Sequence, residues 1–587
     1  MKLIRFSFAC SRKVAFYAQL CNHYLNYAEL SVTIGWIDRR FVLEAEGDQA
    51  ELERLAASIS NDFMVSIWLT DAKMDVVSAR IGSRSKLTHA DRQLPFCNHC
   101  YPLFSDNQSA QFGQLDVECA LCHGEHTAPS CITFNELQNS AAQLRETSEA
   151  SFLVDGHYYH VSLKPFIHGQ RQQVLVCNPN RLNDHFAADN QHVLALSSLE
   201  KPLVTLRANA DHAQLTHTRY DLRFAWNRML SVFAEILRQQ GIDYLFYQTN
   251  EAQMQVAWVA NQWSEIGSSL DCKLSHHSPM TLPSVPFAMK EPLHDYAIIR
   301  GLRADWRKGK VSFNPSEFAD TSDRDTHAMC ALHAGNVESG ILRNSAVIYF
   351  SRQAPGQLIA LGSRLKTETF FKLRDLPESG DQLLERLIAS GRNEVVSRFS
   401  AQFANDIEML THYQFDGERD NLTTLFAMSA FCLGLAKQGD STEQLADKVV
   451  AAAMRYRGKN AHRVDFAFDE SNAELMPISG LDYYPTLASV MAFRLATNGE
   501  MDDVPKLAFG IMDSLADYLG SWVEHLDSKY GIKQVVLAGD EMDNECLTQR
   551  IAVRVGNNFP LFANRRLMID GNNLSVGALL LSQRRRR

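Results

Sequence analysis

Two Cys-x-x-Cys pairs close on each other in the stretch CNHCYPLFSDNQSAQFGQLDVECALC, residues 97–122, and eighteen residues separate them. Each pair places two sulfurs on one side of an ion, and the loop between the pairs lets them complete a tetrahedron. The spacing therefore predicts a zinc site made of Cys97, Cys100, Cys119 and Cys122, with one Zn²⁺ per chain. Because four protein ligands leave no position open for water, we expect this site to be structural rather than catalytic.

Two alternatives for this stretch stay open. His99 and His123 are possible substitute ligands, and without a metal the four cysteines would be free thiols on a surface knuckle. The chain has twelve cysteines among 587 residues, and those outside the cluster are too scattered for a disulfide framework. Reduced thiols of this kind indicate a cytoplasmic protein.

Length and charge exclude several classes of protein. A chain of 587 residues needs several hydrophobic cores, and 45% hydrophobic with 21% charged residues is typical of soluble globular domains. The formal net charge of −10 gives no general attraction to nucleic acid or to anionic lipid. The longest apolar run, residues 425–436, is too short to cross a bilayer, and Arg5 interrupts the apolar start, so neither membrane insertion nor a signal peptide is expected.

Hydrophobic periodicity predicts an α/β multidomain chain. In residues 1–90, three alternating segments (LIRFSFAC, ELSVTIGWI and FVLEAEG) and an amphipathic helix in AELERLAASISNDF favour a small α/β unit. Residues 136–345 are mixed α/β, with one strong helix expected in RYDLRFAWNRMLSVFAEILRQQG, ending at Gly241.

The C-terminal part is predicted to be a second α/β body. AVIYF and QLIALGS are expected strands, and helices are expected at 421–438 and 441–457. A long helix in LAFGIMDSLADYLGSWVEHLDSKYG is followed by a buried strand (QVVLAGD), a glycine turn and another helix. This order is common where α/β folds present backbone to a ligand.

These elements and motifs resemble the HypF family. The spacing of the four cysteines is the same as in the family's zinc finger. The family's terminal signature, VVLSGGVFQNxxL…NDGGISLGQA, is similar to VVLAGDEMDNECL…DGNNLSVGALLLSQ in this chain. Two further family segments are similar to LIALGSRLKTETFFKL and NLTTLFAMSAFCLGL. The resemblance implies a degenerate acylphosphatase-like domain with an α+β ferredoxin-like fold at 1–90 and a four-cysteine zinc finger at 91–135. It further implies a poorly defined α/β region at 136–345 in place of a YrdC-like domain, and a shortened Kae1-like (ASKHA-like) domain at 346–587. It also implies a carbamoyltransferase that starts cyanide-ligand synthesis for [NiFe] hydrogenases.

The anion loop of the first domain departs from the family pattern. Where the family has the glycine-rich VQGVGFR, this chain has SRKVAFY, with Lys13 and Ala15 at glycine positions and Tyr17 in place of the phosphate-binding arginine. Arg39 stands where the family has a catalytic asparagine. Arg12 and Lys13 are therefore predicted to be a remnant of an anion loop, because an amide cradle needs glycines for close approach.

The nucleotide site of the C-terminal domain departs as well. Gly539 and Asn544 match the family's SGGVFQN, but Asp540 replaces the second glycine and brings a negative charge toward a phosphate, which costs on the order of a few kcal/mol. Asp570 matches the family's metal-binding aspartate, yet the HHHAH motif is missing between 381 and 421. These four residues are predicted to be a nucleotide-site remnant, and no catalytic residue is predicted.

The sequence leads to two competing functions. The first is a non-catalytic accessory or assembly factor in [NiFe] hydrogenase maturation, which binds hydrogenase maturation proteins or immature hydrogenase subunits. The alternative is an enzyme, a divergent carbamoyltransferase that uses carbamoyl phosphate and ATP. A third function, RNA modification, is disfavoured by the acidic charge and the lack of a basic face.

Overall fold

The computed structural model of the chain divides into two compact units. Unit 1 comprises residues 1–166, 172–216 and 220–253, and unit 2 comprises residues 167–171, 217–219 and 254–587. The structure describes residues 2–27, 29–88, 94–122, 132–154, 156–166, 171–209, 215, 218–251, 253–266, 280–281, 295–307, 310–374, 376–458, 460–469 and 479–584.

Unit 1 begins with a β-α-β-β-α-β fold, as the sequence predicts. Its four strands are antiparallel neighbours in the order β2-β3-β1-β4, which is the ferredoxin-like arrangement. Helix α2 starts at a capping box in which Asp48 accepts from the Glu51 backbone and the Glu51 carboxylate accepts from the Asp48 backbone. The elements are β1 (Lys2–Cys10), α1 (Ala15–Tyr24), β2 (Ser31–Ile37), β3 (Arg40–Gly47), α2 (Gln49–Asp62) and β4 (Leu69–Val76).

The remainder of unit 1 is a mixed sheet with helices. Six of its strands lie in the order β8-β9-β7-β10-β6-β5, and β7 and β9 are parallel. The elements are α3 (Tyr101–Ser105), α4 (Phe134–Thr147), β5 (Glu149–Val154), β6 (His157–Ser162), β7 (Gln173–Val176), α5 (Leu182–His185), α6 (Asn190–Ser197), β8 (Leu203–Arg207), β9 (Arg219–Phe224), α7 (Arg228–Gln239) and β10 (Tyr244–Thr249).

The single helix predicted over residues 219–241 is wrong in its first third. RYDLRF forms the buried strand β9, and the helix begins only after Asn227, whose side chain accepts from the Leu230 backbone N–H. Tyr220, Leu222 and Phe224 alternate with period two, a pattern that a helical assignment of the whole segment overlooked.

Besides the antiparallel hairpin of β11 and β12, unit 2 contains two sheets in its described residues. One has the strand order β13-β16-β15-β14, and the other has seven strands in the order β20-β21-β19-β18-β17-β22-β23. The elements are β11 (Gln255–Val259), β12 (Gln262–Glu265), β13 (Met280–Thr281), β14 (Tyr296–Ile299), β15 (Leu302–Arg307), β16 (Lys310–Pro315), α8 (His327–Ser339), β17 (Ser345–Ser351), β18 (Ala354–Leu361), β19 (Thr367–Lys372), α9 (Gly380–Leu387), α10 (Asn393–Gln402), α11 (Ala404–Thr411), α12 (Leu422–Leu433), α13 (Thr442–Arg455), β20 (Ala467–Asp469), β21 (Ser479–Asp482), α14 (Tyr483–Ala496), α15 (Val504–Tyr530), β22 (Gln534–Ala538), α16 (Glu545–Arg554), β23 (Leu561–Phe562) and α17 (Asn572–Arg584).

The central strands of the seven-stranded sheet are buried on both faces. Along β17, Ile348 packs into one hydrophobic cluster and Val347 into another, and the parallel neighbour β22 alternates in the same way. A strand buried on both faces needs a continuous apolar run, which AVIYF and QVVLA supply. The strands and helices predicted for this body are confirmed, except that the helix predicted to run to 438 ends at Leu433, before the left-handed Gly434. No helix in the described part of the chain combines the length and apolar character that a membrane span requires.

Candidate metal centre and anion sites

The four predicted zinc ligands meet in unit 1. Their sulfur atoms all lie within 4.8 Å of one another, and this is the one cluster of potential metal ligands found among the described residues. The Cys97 and Cys119 sulfurs are 3.6 Å apart, and those of Cys100 and Cys122 are 3.7 Å apart. Four thiolates about 2.3 Å from a tetrahedral ion have sulfur–sulfur separations of about 3.8 Å, so the donor set fits one metal ion.

The four thiols are buried and none forms a disulfide. Hydrogen bonds from Cys122 and Cys97 lower the pKa of Cys100 below its ordinary value, with a smaller contribution from Arg228. This environment stabilises a thiolate at Cys100, the form that binds a metal, whereas the hydrogen bonds with Cys100 raise the pKa of Cys97 and of Cys122.

The candidate substitute ligand His99 is engaged elsewhere. Its Nε2 lies 2.6 Å from Asp62 Oδ1, and His99 is not part of the sulfur cluster. The other candidate, His123, lies outside the described residues. The donor set of the described structure is therefore four cysteines.

The side chains predicted to form the remnant anion loop do not converge on one point. The guanidinium of Arg12 lies 3.8 Å above the ring of Trp68, while Lys13 Nζ donates to the carbonyl of Thr88. Tyr17, at the position of the family's arginine, is fully buried and its hydroxyl donates to the Met64 carbonyl at 2.7 Å. The loop therefore presents an apolar core residue where the resemblance implies a cation.

A carboxylate of the chain itself lies beside this loop. Glu200 accepts from the hydroxyl of Ser66 and, at 3.0 Å, from the backbone N–H of Ile67. Burial raises the pKa of Cys10 to about 12, and the nearby Glu200 adds to the rise. Sequence reasoning missed Glu200 because it is distant in the chain, within SLEKPLVTL, and no local pattern links it to the loop.

The predicted C-terminal remnant is partly assembled. Gly539 has φ of +104°, and a Cβ there would lie 1.8 Å from the Phe350 carbonyl oxygen, so the close approach requires glycine. The next backbone N–H, that of Asp540, donates to Asp570 Oδ2 at 3.2 Å. Asn544 has a different role, because its side chain caps helix α16 by accepting from the Leu547 N–H.

Asp570 forms a buried ion pair. Arg300 Nη1 lies 2.7 Å from Oδ2, the Tyr349 hydroxyl donates to Oδ1 at 2.8 Å, and the Ser351 hydroxyl donates to Oδ2 at 2.7 Å. Burial opposes ionisation of Asp570, but Arg300 outweighs it and lowers the pKa. An arginine thus supplies the positive charge at the carboxylate that the resemblance assigns to a metal.

Sequence reasoning also missed a histidine at this point. His327, the first residue of α8, is buried, and its Nδ1 lies 3.5 Å from Arg300 Nη2. Burial, followed by the charge of Arg300, lowers the pKa of His327 to about 4, so the ring is neutral at pH 7. His327 lies outside the interval 381–421, where the resemblance places the histidine motif, because it precedes the strand β17.

Arginines also compensate the acidic residues that follow Gly539. The Arg352 backbone N–H donates to Asp540 Oδ1 at 2.8 Å, and its guanidinium contacts Asp543 at 2.8 Å. Arg171 pairs with Asp447 at 2.8 Å and with Asp543 at 2.9 Å, and Arg219 contacts the same two residues. The charge that Asp540 brings into the turn is therefore part of a buried acid–arginine network.

The N-terminus of α12 is occupied by another carboxylate. Asn421 caps the helix, and Glu541 accepts from the backbone N–H groups of Leu422 at 3.1 Å and Thr423 at 2.6 Å. Helix N-termini attract anions, and here the anion belongs to the chain. Burial raises the pKa of Glu541 to about 7, against the lowering effect of Arg352.

Unit 1 also contains a cavity of about 420 Å³ at the carboxyl ends of the parallel strands β7 and β9. Cys97, Asn178, Lys201 and Phe224 are among the residues that line it. Lys201 Nζ donates to the Ser197 carbonyl at 2.8 Å, and burial lowers its pKa to about 8. The sequence had not singled out this lysine.

The sequence and the fold of this chain were compared with those of known proteins. No protein-family model matches the chain. Protein HydE of Wolinella succinogenes is 25% identical over 218 residues, which is 36% of this chain, and the match spans only 38% of HydE.

Two solved structures match in fold. Full-length HypF in its phosphate- and nucleotide-bound form matches with a TM-score of 0.58 at 10% identity, over 99% of this chain and 98% of HypF. HypF of T. kodakarensis also matches with a TM-score of 0.58, at 11% identity over 100% of this chain and 99% of that one. The mixed α/β multidomain fold is thereby confirmed, and this fold is HypF-like.

Proposed function

We propose that this protein is an accessory or assembly factor in [NiFe] hydrogenase maturation, with a HypF-like fold but without the family's chemistry. It acts by binding a maturation protein or an immature hydrogenase subunit. The HypF-like fold and the sequence similarity to HydE support the placement in hydrogenase maturation.

One observation carries the proposal: side chains of this chain occupy the positions where the resemblance implies phosphate, nucleotide or metal. Tyr17 fills the place of the phosphate-binding arginine, and Arg300 is bound to Asp570. In addition, Glu541 occupies the N-terminus of α12, a position that would otherwise attract an external anion. A bound phosphate would have to displace these internal contacts, so loss of ligand binding is the simplest interpretation.

The metal centre is the part of the family pattern that this chain keeps, and we assign zinc to it. Four buried cysteine sulfurs that all lie within 4.8 Å of one another suit Zn²⁺, and a site with four protein ligands suits a structural role. The proposal includes a cytoplasmic location, which the free thiols of the described cysteines support. The proposal also includes the division of the chain into four domains, with boundaries after residues 90, 135 and 345.

Loss of the protein is expected to leave hydrogenase subunits synthesised but inactive, with a subunit incompletely processed. Wild type and Asp540→Ala should both restore activity, whereas Cys97→Ser should not, because partner binding depends on a folded metal module. Hydrogenase activity in a deletion strain, together with immunoblots of subunit processing, measures this. If Asp540→Ala stays folded and zinc-loaded yet fails to restore activity, the turn takes part in chemistry and the accessory role is wrong.

The carbamoyltransferase alternative has one specific observation in its favour, the 420 Å³ cavity with Lys201. A lysine that is partly neutral near pH 8 can serve in catalysis, and cavities at the carboxyl ends of parallel strands often bind ligands. The two functions therefore need to be separated by direct ligand binding.

ATP and carbamoyl phosphate, each at millimolar concentration, are expected to leave the melting temperature unchanged, and carbamoyl phosphate should not be hydrolysed above background. A ligand at about 100 times its Kd would stabilise the folded state by about 2.7 kcal/mol, a shift that differential scanning fluorimetry detects. A catalytically competent HypF serves as the positive control. A saturable rise with either ligand would favour the enzyme.

A further inference from the structure

Arg228, the first residue of α7, reaches into the cysteine module. It is 5% exposed, and its guanidinium makes four polar contacts. Nε donates to the Pro95 carbonyl at 2.7 Å, and Nη1 donates to the carbonyls of Leu115 at 2.9 Å and Val117 at 2.7 Å. Nη2 donates to the sulfur of Cys100 at 3.8 Å.

These contacts join the two halves of the module. Pro95 lies just before the first Cys-x-x-Cys pair, while Leu115 and Val117 lie just before the second. One planar group therefore holds both approaching segments and one of the ligand sulfurs, a geometry that a lysine ammonium cannot reproduce. The ring of Phe104, 5.2 Å from the guanidinium carbon, covers the same side chain.

The positive charge of Arg228 also bears on the charge of the metal centre. Four thiolates around a divalent ion carry a net charge of about −2, and burying that charge is costly unless a cation lies nearby. Arg228 is a permanently charged donor in contact with Cys100, and hydrogen bonds to a ligand sulfur tune both its orientation and its donor strength.

We propose that Arg228 is a positioning residue of the metal centre, which aligns the two cysteine pairs and offsets the charge of the metal–thiolate group. The inference rests on the zinc assignment made above and goes beyond it, because it makes retention of the metal depend on a residue of α7, far from the ligands in sequence. Zinc should therefore be held less tightly when this side chain is removed.

Zinc release to a chromophoric chelator tests the inference in wild type, Arg228→Ala, Arg228→Lys and Arg238→Ala. Arg238 is the matched control, since it lies on the same helix but is 41% exposed and pairs with Glu235. Loss of a group that orients a ligand typically costs 10- to 100-fold in metal affinity, so Arg228→Ala should release zinc at least about 10-fold faster. Arg228→Lys should be intermediate, and Arg238→Ala should match wild type.

Cobalt-substituted protein supplies a readout that loosened packing alone would not move. Loss of the N–H···S hydrogen bond makes the Cys100 sulfur a stronger donor, so the sulfur-to-cobalt charge-transfer band should shift to lower energy in Arg228→Ala and remain in place in Arg238→Ala.

Wild-type release rates and an unshifted band in Arg228→Ala overturn the inference. If Arg228→Ala does not fold, Arg228→Lys decides, and wild-type behaviour in that variant overturns it. A wild type that binds neither metal overturns the inference together with the zinc assignment, whereas a metal-loaded wild type with an unaffected Arg228→Ala overturns the inference alone.

Discussion

Serine at Cys97 or Cys122 is expected to reduce the metal content from one zinc per chain to none and to unfold the cysteine module around it. Three cysteines are too few for a closed tetrahedral zinc site, and structural zinc sites contribute apparent binding free energies of about 10–16 kcal/mol to folding. Metal analysis of protein purified without oxygen measures the stoichiometry. Hydrogen exchange should rise in residues 94–122 and change little in the core of unit 2.

Cys432→Ser is the matched control for this prediction. Cys432 is also buried and free but belongs to α12 in unit 2, so its substitution should leave the zinc content at one. Two zincs per wild-type chain, none after careful purification, or a fully loaded Cys97→Ser would each contradict the four-cysteine site.

Asp543→Ala is expected to destabilise unit 2 by about 3–5 kcal/mol, the usual cost of breaking a buried ion pair by removing one partner. Asp543 is 4% exposed in its side chain and contacts Arg171 and Arg352, so its loss leaves buried guanidinium groups undercompensated. Burial would raise the pKa of Asp543, but Arg352 outweighs it and lowers the pKa. Its contribution is therefore complete at pH 7 and is lost only as the pH falls below the usual range of aspartate.

Glu394→Ala provides the comparison, because it removes an exposed acid that lies 4.0 Å from Arg398 on the surface of α10. An exposed pair of this kind contributes about 0–1 kcal/mol. Chemical denaturation at pH 7 should separate the two variants clearly. Equal denaturation midpoints would mean that the acid–arginine network does not stabilise the fold.

Features that depend on neighbouring residues were predictable from the sequence. The Cys-x-x-Cys spacing predicted the sulfur cluster, and period-two alternation predicted β1, β2 and β3. The apolar run AVIYF predicted a buried strand, and the long amphipathic pattern predicted α15. The assignment of one helix to 219–241 failed because a strand buried on both faces and an amphipathic helix stand next to each other there, separated only by the cap at Asn227.

Partnerships between distant residues could not be predicted. Asp570 was recognised as a metal-ligand position by resemblance, but its partner Arg300 is 270 positions away in the chain. Glu200 beside Tyr17, and Arg171 on Asp543, are similarly separated. No periodicity connects such pairs, because each is brought together by how strands and helices pack rather than by the local backbone.

The sequence by itself therefore determined the cysteine ligands, several individual strands and helices, and the loss of the family's glycines and arginine. Only the tertiary structure decided which distant side chains compensate the buried groups, namely Arg300 on Asp570, Glu541 at the N-terminus of α12 and Arg228 at the cysteine cluster. The physical reason is that ligand spacing, alternation and helix capping act over a few residues, whereas a buried charge requires compensation from whichever side chain the fold brings within contact distance.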